Sequence, residues 1–253
     1  LVGIGRVPNT DLDLAQAGIE VTERGIVVDR SYRTTNKHVY AIGDVSSAEK
    51  FTHVADDQAR HLIKRSLLPF LGTRKKAVPK VTYTDPEVAS VGMSTNEAYA
   101  RYGDAHLMRI VVPFEKVDRA NIEGWSDEGV LVIIAKRISG KIIGAHIASP
   151  HAGEIIALLT LAIEEKLSLW KLNSLIFAYP TASLAIKKAT DAFVAESAKS
   201  FTRDIKNALK PHIPKILGAI FWASVIYGFF AYKATHDVSY TQMTEWVFAL
   251  TED

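Results

Sequence analysis

Val39-Tyr40-Ala41-Ile42-Gly43-Asp44-Val45 is the stretch from which the fold is read. An apolar run ends in a glycine, and glycine admits the sharp turn that a side chain would resist. A strand over 39–42 that stops there places the Asp44 carboxylate at its carboxyl end, where α/β sheets bind their ligands. An ionised carboxylate in that position accepts hydrogen bonds from sugar or sugar-alcohol hydroxyls. The alternative is that Asp44 only caps the turn that follows.

Upstream, residues 25–28 form a second short apolar strand; downstream, a helix is expected over about 55–70, with Pro69 and Gly72 punctuating its end. Residues 1–72 therefore read as part of an α/β nucleotide-binding region. Residues 73–80 are rich in basic side chains, contain Pro79, and read as a linker. After them the composition changes.

Residues 81–198 read as an α+β unit. Ser94-Thr95-Asn96-Glu97 has capping-box spacing, because the serine oxygen and the glutamate can each take up a free backbone N–H at a helix start. Strands are expected at 107–113, 130–136 and 141–148, the last two joined as a hairpin through Ser139-Gly140. A strongly apolar helix over 153–166 carries Ile155, Ile156, Leu158, Leu159, Ala162 and Ile163 on more than one face, so burial on both sides and a partner surface are expected. A last helix begins near Pro180 and extends to about Lys199.

The tail differs in kind. Residues 199–215 form a basic juxtamembrane segment, and 216–232 is an uninterrupted run without a charged residue, bounded by Lys215 and Lys233. That is a short but adequate bilayer span; a buried core helix is the alternative. Lys199, Arg203, Lys206, Lys210 and Lys215 precede it, and beyond it Lys233 is the single Lys or Arg, so the charge bias puts the preceding domain on the cytoplasmic side of a membrane. Residues 233–253 read as an extension, the start of a membrane domain.

Composition narrows the function. With 253 residues, 48% of them hydrophobic and 23% charged, the chain has ample core. A net charge of +2 lacks the dense basic stripe of a nucleic-acid binder, so no nucleic-acid partner is expected. Cysteine is absent, which excludes a thiol nucleophile, a dithiol and a thiolate metal site within these residues. The chain opens at Leu1 on what reads as the end of a strand, so an upstream half is expected.

Candidate chemistry is sparse. His53 at a helix start reads as a capping or packing group more readily than as a base. His146, His151 and Glu154 lack any recognised metal-ligand spacing, and no metal is expected. Gly3-Ile4-Gly5-Arg6 lacks the third glycine of a dinucleotide fingerprint, with Pro8 in its place.

The spaced motifs together carry a resemblance. Gly5-Arg6-Val7-Pro8-Asn9, Val28-Asp29, Arg33-Thr34, the Gly43-Asp44 turn and Thr52-His53-Val54-Ala55 resemble the second half of the FAD domain in the class I pyridine nucleotide-disulfide oxidoreductases. That group contains dihydrolipoamide dehydrogenase, glutathione reductase and mercuric reductase. Tyr83-Thr84-Asp85-Pro86-Glu87-Val88-Ala89, Val91-Gly92, Gly144-Ala145-His146-Ile147 and Gly153-Glu154 resemble its dimerisation domain.

The resemblance implies a fold class of α/β plus α+β, a partial FAD-binding domain followed by the family's α+β dimerisation domain, and the uncharged run 216–232 adds the expectation of a C-terminal transmembrane helix. The resemblance implies FAD and NAD(P)H as cofactors, with Gly43 and Asp44 at the FAD ribitol and Thr52, His53, Val54 and Ala55 at the start of a helix aimed at the flavin pyrimidine ring. It implies a homodimer that delivers electrons to a small-molecule acceptor at its interface, which the charge bias around the apolar run would place on the cytoplasmic face of a membrane. The rival expectation is a pairing and anchor module without catalysis.

Ala178-Tyr179-Pro180-Thr181 resembles the mercuric-reductase-like branch, and it is also where the chain departs from the dehydrogenases. Those carry a His before Pro-Thr and a Glu shortly after, a pair that relays protons to the partner's dithiol. Here the positions hold Tyr179 and Leu184. A phenol is a poor base at neutral pH, so Tyr179 is expected either to contact the acceptor or to serve as a hydrogen-bonded interface residue. Mercuric reductase also carries a cysteine pair near its carboxyl terminus, and mercuric ion reduction is not expected of a chain without cysteine. The tail is similar to the beginning of a fusion to a SNARE-associated (DedA-like) membrane domain.

Overall fold

The computed structural model describes residues 3–68, 76–209, 216–224 and 226–227. The chain divides into two compact units, Leu1–Phe193 and Val194–Asp253.

In the first unit, β1 (Val21–Thr22) and β2 (Gly25–Ile26) form a small antiparallel sheet. The strand expected over 39–42 is reduced to an isolated bridge between Arg33 and Tyr40. Local side chains bind the neighbouring backbone instead: Thr34 Oγ1 donates to the carbonyls of Asn36 and Val39, and Asp29 Oδ1 accepts from the N–H of Ser31 and of Arg33. Ile19, Ile26 and Ala41 form the small buried core of this region.

Helix α1 (Thr52–Leu67) begins three residues ahead of the start expected at 55. Its N-cap is Phe51, which offers no side-chain oxygen, so the sequence carried no capping signal for the true start.

From Lys80 onward the fold is one five-stranded antiparallel sheet in the order β3-β4-β7-β6-β5. Its strands are β3 (Lys80–Thr82), β4 (Glu87–Gly92), β5 (Leu107–Pro113), β6 (Val130–Lys136) and β7 (Ile142–Ser149). The expected hairpin is present, with Gly140 at φ +66° in its turn. Helix α2 (Thr95–Tyr102) has both bonds of the capping box: Glu97 N–H donates to Ser94 Oγ, and Ser94 N–H donates to the Glu97 carboxylate. The Glu97 carboxylate accepts from both the Ser94 N–H and the Ser94 hydroxyl, and these two bonds hold it below its ordinary range. A short helix α3 (Asp118–Glu123) follows β5.

Helix α4 (Ala152–Glu164) lies on β4 and β7, burying Ile155, Ile156, Leu159 and Ala162. Each of the three larger side chains, Ile155, Ile156 and Leu159, contributes about 1.5–3 kcal/mol when fully buried. Leu161 is 53% exposed, so one face of α4 is open in the single chain. Helix α5 (Leu169–Asn173) leads into α6 (Leu184–Leu209). Pro180 does not start α6; residues ahead of it make turns, with Leu184 N–H donating to the Thr181 carbonyl at 3.2 Å. At the other end α6 runs past Lys199, since neither Gly nor Pro interrupts it there.

In the second unit, residues 216–224 are helical and Leu217, Ile220 and Phe221 are exposed. Among the described residues no helix is long and apolar enough to cross a membrane. The rest of the run 216–232, residues 73–75 of the linker segment, 210–215 and the extension 233–253 lie outside the described residues.

Candidate functional site

Two groups of residues carry chemistry: the turn at Gly43-Asp44 with the start of α1, and the turn at Tyr179-Pro180. The first is built by a glycine in the left-handed region. Gly43 has φ +73° and lies against α1 so closely that a β-carbon would meet Ala55 Cβ at 3.1 Å. Its N–H donates to Gln58 Oε1 at 2.7 Å, which ties the turn to the helix. Residues 43–45 then make one turn of 3₁₀-helix, and the Asp44 side chain is exposed. Lys50 Nζ closes the loop behind it, donating to the Asp44 and Ser47 carbonyls. The Asp44 carboxylate enters no ion pair among the described residues.

At the start of α1 the N–H groups of Val54 and Ala55 both donate to the Phe51 carbonyl. Those of Thr52 and His53 find no acceptor among the described residues, so the helix presents two free donors and its positive end to solvent. Val54 faces the core, Ala55 packs beside Gly43, and Thr52 and His53 are exposed. The His53 ring is stacked on Phe51 at a centroid distance of 5.2 Å, and its Nε2 lies 2.9 Å from the Pro79 carbonyl. A carbonyl can only accept, so Nε2 is the donor, and the ring tethers α1 to the segment leading into β3. Gln58 and Lys50 had no signal in the sequence beyond being polar.

This arrangement fits a flavin mononucleotide portion. An exposed carboxylate suits ribitol hydroxyls, and two free N–H groups at a helix start suit the pyrimidine oxygen of the ring.

The second group is the turn at Tyr179-Pro180. Tyr179 is 71% exposed, and the negative charge of Asp118, with the hydrogen bond that its carboxylate accepts from the phenol, raises the phenol above its ordinary value. Asp118, first residue of α3, was not singled out by the sequence, where it sits more than sixty positions away from Tyr179. Next to Tyr179, a cavity of about 500 Å³ is lined by Arg119, His151, Glu154, Pro180, Thr181 and Ser183. Arg119 is paired with Glu123, whose other oxygen accepts from Trp125 Nε1 at 2.9 Å and lies 3.7 Å from His151 Nε2. Leu184 opens α6 and carries no polar atom to this cluster.

His146 and His151 do not come together. His146 Nε2 lies 3.3 Å from the Met93 carbonyl, while His151 packs edge-on against Trp125. Among the described residues no three metal-ligating side chains gather.

Residues 1–59 match the family described as pyridine nucleotide-disulphide oxidoreductase, and residues 78–190 match its dimerisation domain. The chain belongs to the pyridine nucleotide-disulphide oxidoreductases. Within that family it is similar to a mercuric reductase of Acidithiobacillus ferrooxidans, 33% identical over 208 residues, which are 81% of this chain and 36% of the relative. It is also similar to a dihydrolipoyl dehydrogenase of Chlamydia pneumoniae, 36% identical over 185 residues, 72% of this chain and 40% of the relative. Among solved structures, the HOCl-induced flavoprotein disulfide reductase RclA from Escherichia coli superposes with a TM-score of 0.68 at 27% identity, covering 76% of this chain and 44% of that one. The chain thus spans less than half the length of these oxidoreductases. The family uses FAD and NAD(P)H.

Proposed function

We propose that this chain is the carboxyl-terminal portion of an FAD-dependent NAD(P)H oxidoreductase that works as a homodimer. The observation that carries this reading is the exposed Asp44 carboxylate on a turn bolted to α1 through Gly43 and Gln58. When bound, FAD supplies two-electron redox chemistry between a nicotinamide and an acceptor. Asp44 accepts hydrogen bonds from the ribitol, and the N–H groups of Thr52 and His53 hold the electron-poor edge of the ring where negative charge grows. Gly43 keeps the backbone close enough to α1 for both contacts to serve one ligand.

Tyr179 stands beside the acceptor with its proton held toward Asp118, leaving the phenol oxygen to accept a hydrogen bond. With its phenol raised by Asp118 it holds its proton at neutral pH, so it orients an acceptor and does not abstract a proton from it. The open face of α4 with Leu161 supports pairing with a second copy. The acceptor is a small molecule. Support for a membrane tether is the uncharged run 216–232 with basic residues ahead of it, which sets the preceding domain on the cytoplasmic side. Retention in the membrane fraction under high salt tests the tether, and release by salt alone refutes it.

Replacement of the family's His-Glu pair by Tyr179 and Leu184 favours one other reading, a pairing and anchor module without turnover. The two readings separate when the full-length protein is purified and mixed anaerobically with NADH or NADPH. A yellow protein that bleaches supports the oxidoreductase; a colourless one supports the pairing module.

A further inference from the structure

A second cavity lies away from both groups described above. It has a volume of about 400 Å³ and is lined by the end of α2, by Ala105 and His106, and by the β6–β7 hairpin. Four of its lining residues are basic or can become so: Arg101, His106, Lys136 and Arg137. No carboxylate lines it, and none of the four enters an ion pair among the described residues. Cations of one sign gathered at a concave site without counter-charge repel one another, a cost that a bound anion removes.

The cations are also held in place. Lys136 Nζ stands 4.8 Å from the centre of the Tyr102 ring, and the Arg101 guanidinium carbon 5.4 Å from the same ring, so one aromatic ring meets both. Tyr102 in turn packs on the buried cluster of Ala98, Leu107, Ile134 and Ile143. Arg137 Nε donates to the Ala105 carbonyl at 3.0 Å, and its backbone N–H donates to the His106 carbonyl at 2.9 Å. With Nε so engaged, the terminal guanidinium nitrogens remain to meet a ligand. Side chains already ordered lose less entropy on binding than free ones.

We propose that the pocket between Arg101, Lys136 and Arg137 binds a phosphate-bearing ligand. Planar guanidinium groups match phosphate oxygens in pairs, and a lysine ammonium adds a point charge. The same phosphate chemistry comes from a free phosphorylated compound or from an anionic lipid headgroup, and Ile138, 90% exposed at the hairpin tip beside the cations, would lie against the acyl region in the second case.

The test uses the full-length flavoprotein in neutral detergent and two probes, inorganic pyrophosphate and a short-chain phosphatidylglycerol below its micelle concentration, each followed by titration calorimetry. Saturable binding of either probe that weakens about tenfold in Lys136→Gln, and further in Arg101→Gln with Lys136→Gln, bears the proposal out. Pyrophosphate alone points to a free ligand; phosphatidylglycerol alone, with loss in Ile138→Ser, points to a headgroup. Lys136→Arg should restore binding, and flavin content should stay unchanged in every variant, which shows that the fold persists. Absence of saturable binding of both probes, or equal binding in parent and double variant, overturns it.

Discussion

The Gly43 N–H meets Gln58 Oε1 at 2.7 Å, so the turn that presents Asp44 and the helix that presents Thr52 and His53 move as one piece. A ligand reaching both finds its contacts already arranged.

Gln58→Ala should therefore weaken flavin binding although Asp44 is intact. It leaves the buried Gly43 N–H without an acceptor, at a cost of about 1–3 kcal/mol. The check is denaturant unfolding together with the flavin-to-protein ratio; Gln58→Glu, which keeps an acceptor, should lie close to the parent. A Gln58→Ala protein with unaltered stability and flavin content would contradict the coupling.

Gly25 is a position of close approach. Its φ is +115°, and a β-carbon there would come within 2.1 Å of the Val45 carbonyl oxygen. Gly25→Ala must displace the 43–45 turn, so a loss of stability on the order of 3 kcal/mol is expected from the conformation and the clash together. Thermal unfolding reads this directly, and flavin content should fall with it.

Tyr179 and Asp118 give a prediction in pH. The carboxylate disfavours the phenolate, so Tyr179 titrates above its ordinary value and stays protonated through neutral pH. Removing the charge with Asp118→Asn should bring that titration down toward the ordinary value, visible as a tyrosinate absorbance step that moves to lower pH and is absent in Tyr179→Phe. Turnover limited by orientation should fall in Tyr179→Phe without a new acidic limb in its pH profile. A shift to higher pH in Asp118→Asn would contradict the pairing.

Glu87 caps α4 from another strand. Its Oε2 accepts the Gly153 N–H at 2.9 Å, placing a carboxylate at the positive end of the helix. Glu87→Ala should cost about 1–2 kcal/mol, and Glu87→Gln, which retains the acceptor but not the charge, less. Chemical unfolding separates the three proteins.

How much of this was legible beforehand follows from where each signal resides. The capping box at Ser94-Glu97 and the hairpin at Ser139-Gly140 depend on residues near in sequence, and both are present. Strands β3 and β4 escaped notice because Pro86 and Gly92 break the apolar pattern that would announce them. The start of α1 carries no local signal because Phe51 gives no cap, and Pro180 mimics a helix start although it belongs to a turn. Glu87 with Gly153 and Asp118 with Tyr179 join residues more than fifty positions apart, and nothing local marks such pairs. The resemblance led to Asp44 and Tyr179; only the coordinates led to Gln58 and Asp118.

The central claim is that the Asp44 carboxylate holds a flavin, and it is tested by the flavin-to-protein absorbance ratio of full-length Asp44→Ala against the parent after identical dialysis. Loss of a charge-assisted hydrogen bond should weaken flavin binding roughly tenfold to a hundredfold, leaving the variant pale, with Asp44→Glu partly yellow. Equal flavin content in Asp44→Ala and the parent, with both proteins folded, would contradict the account.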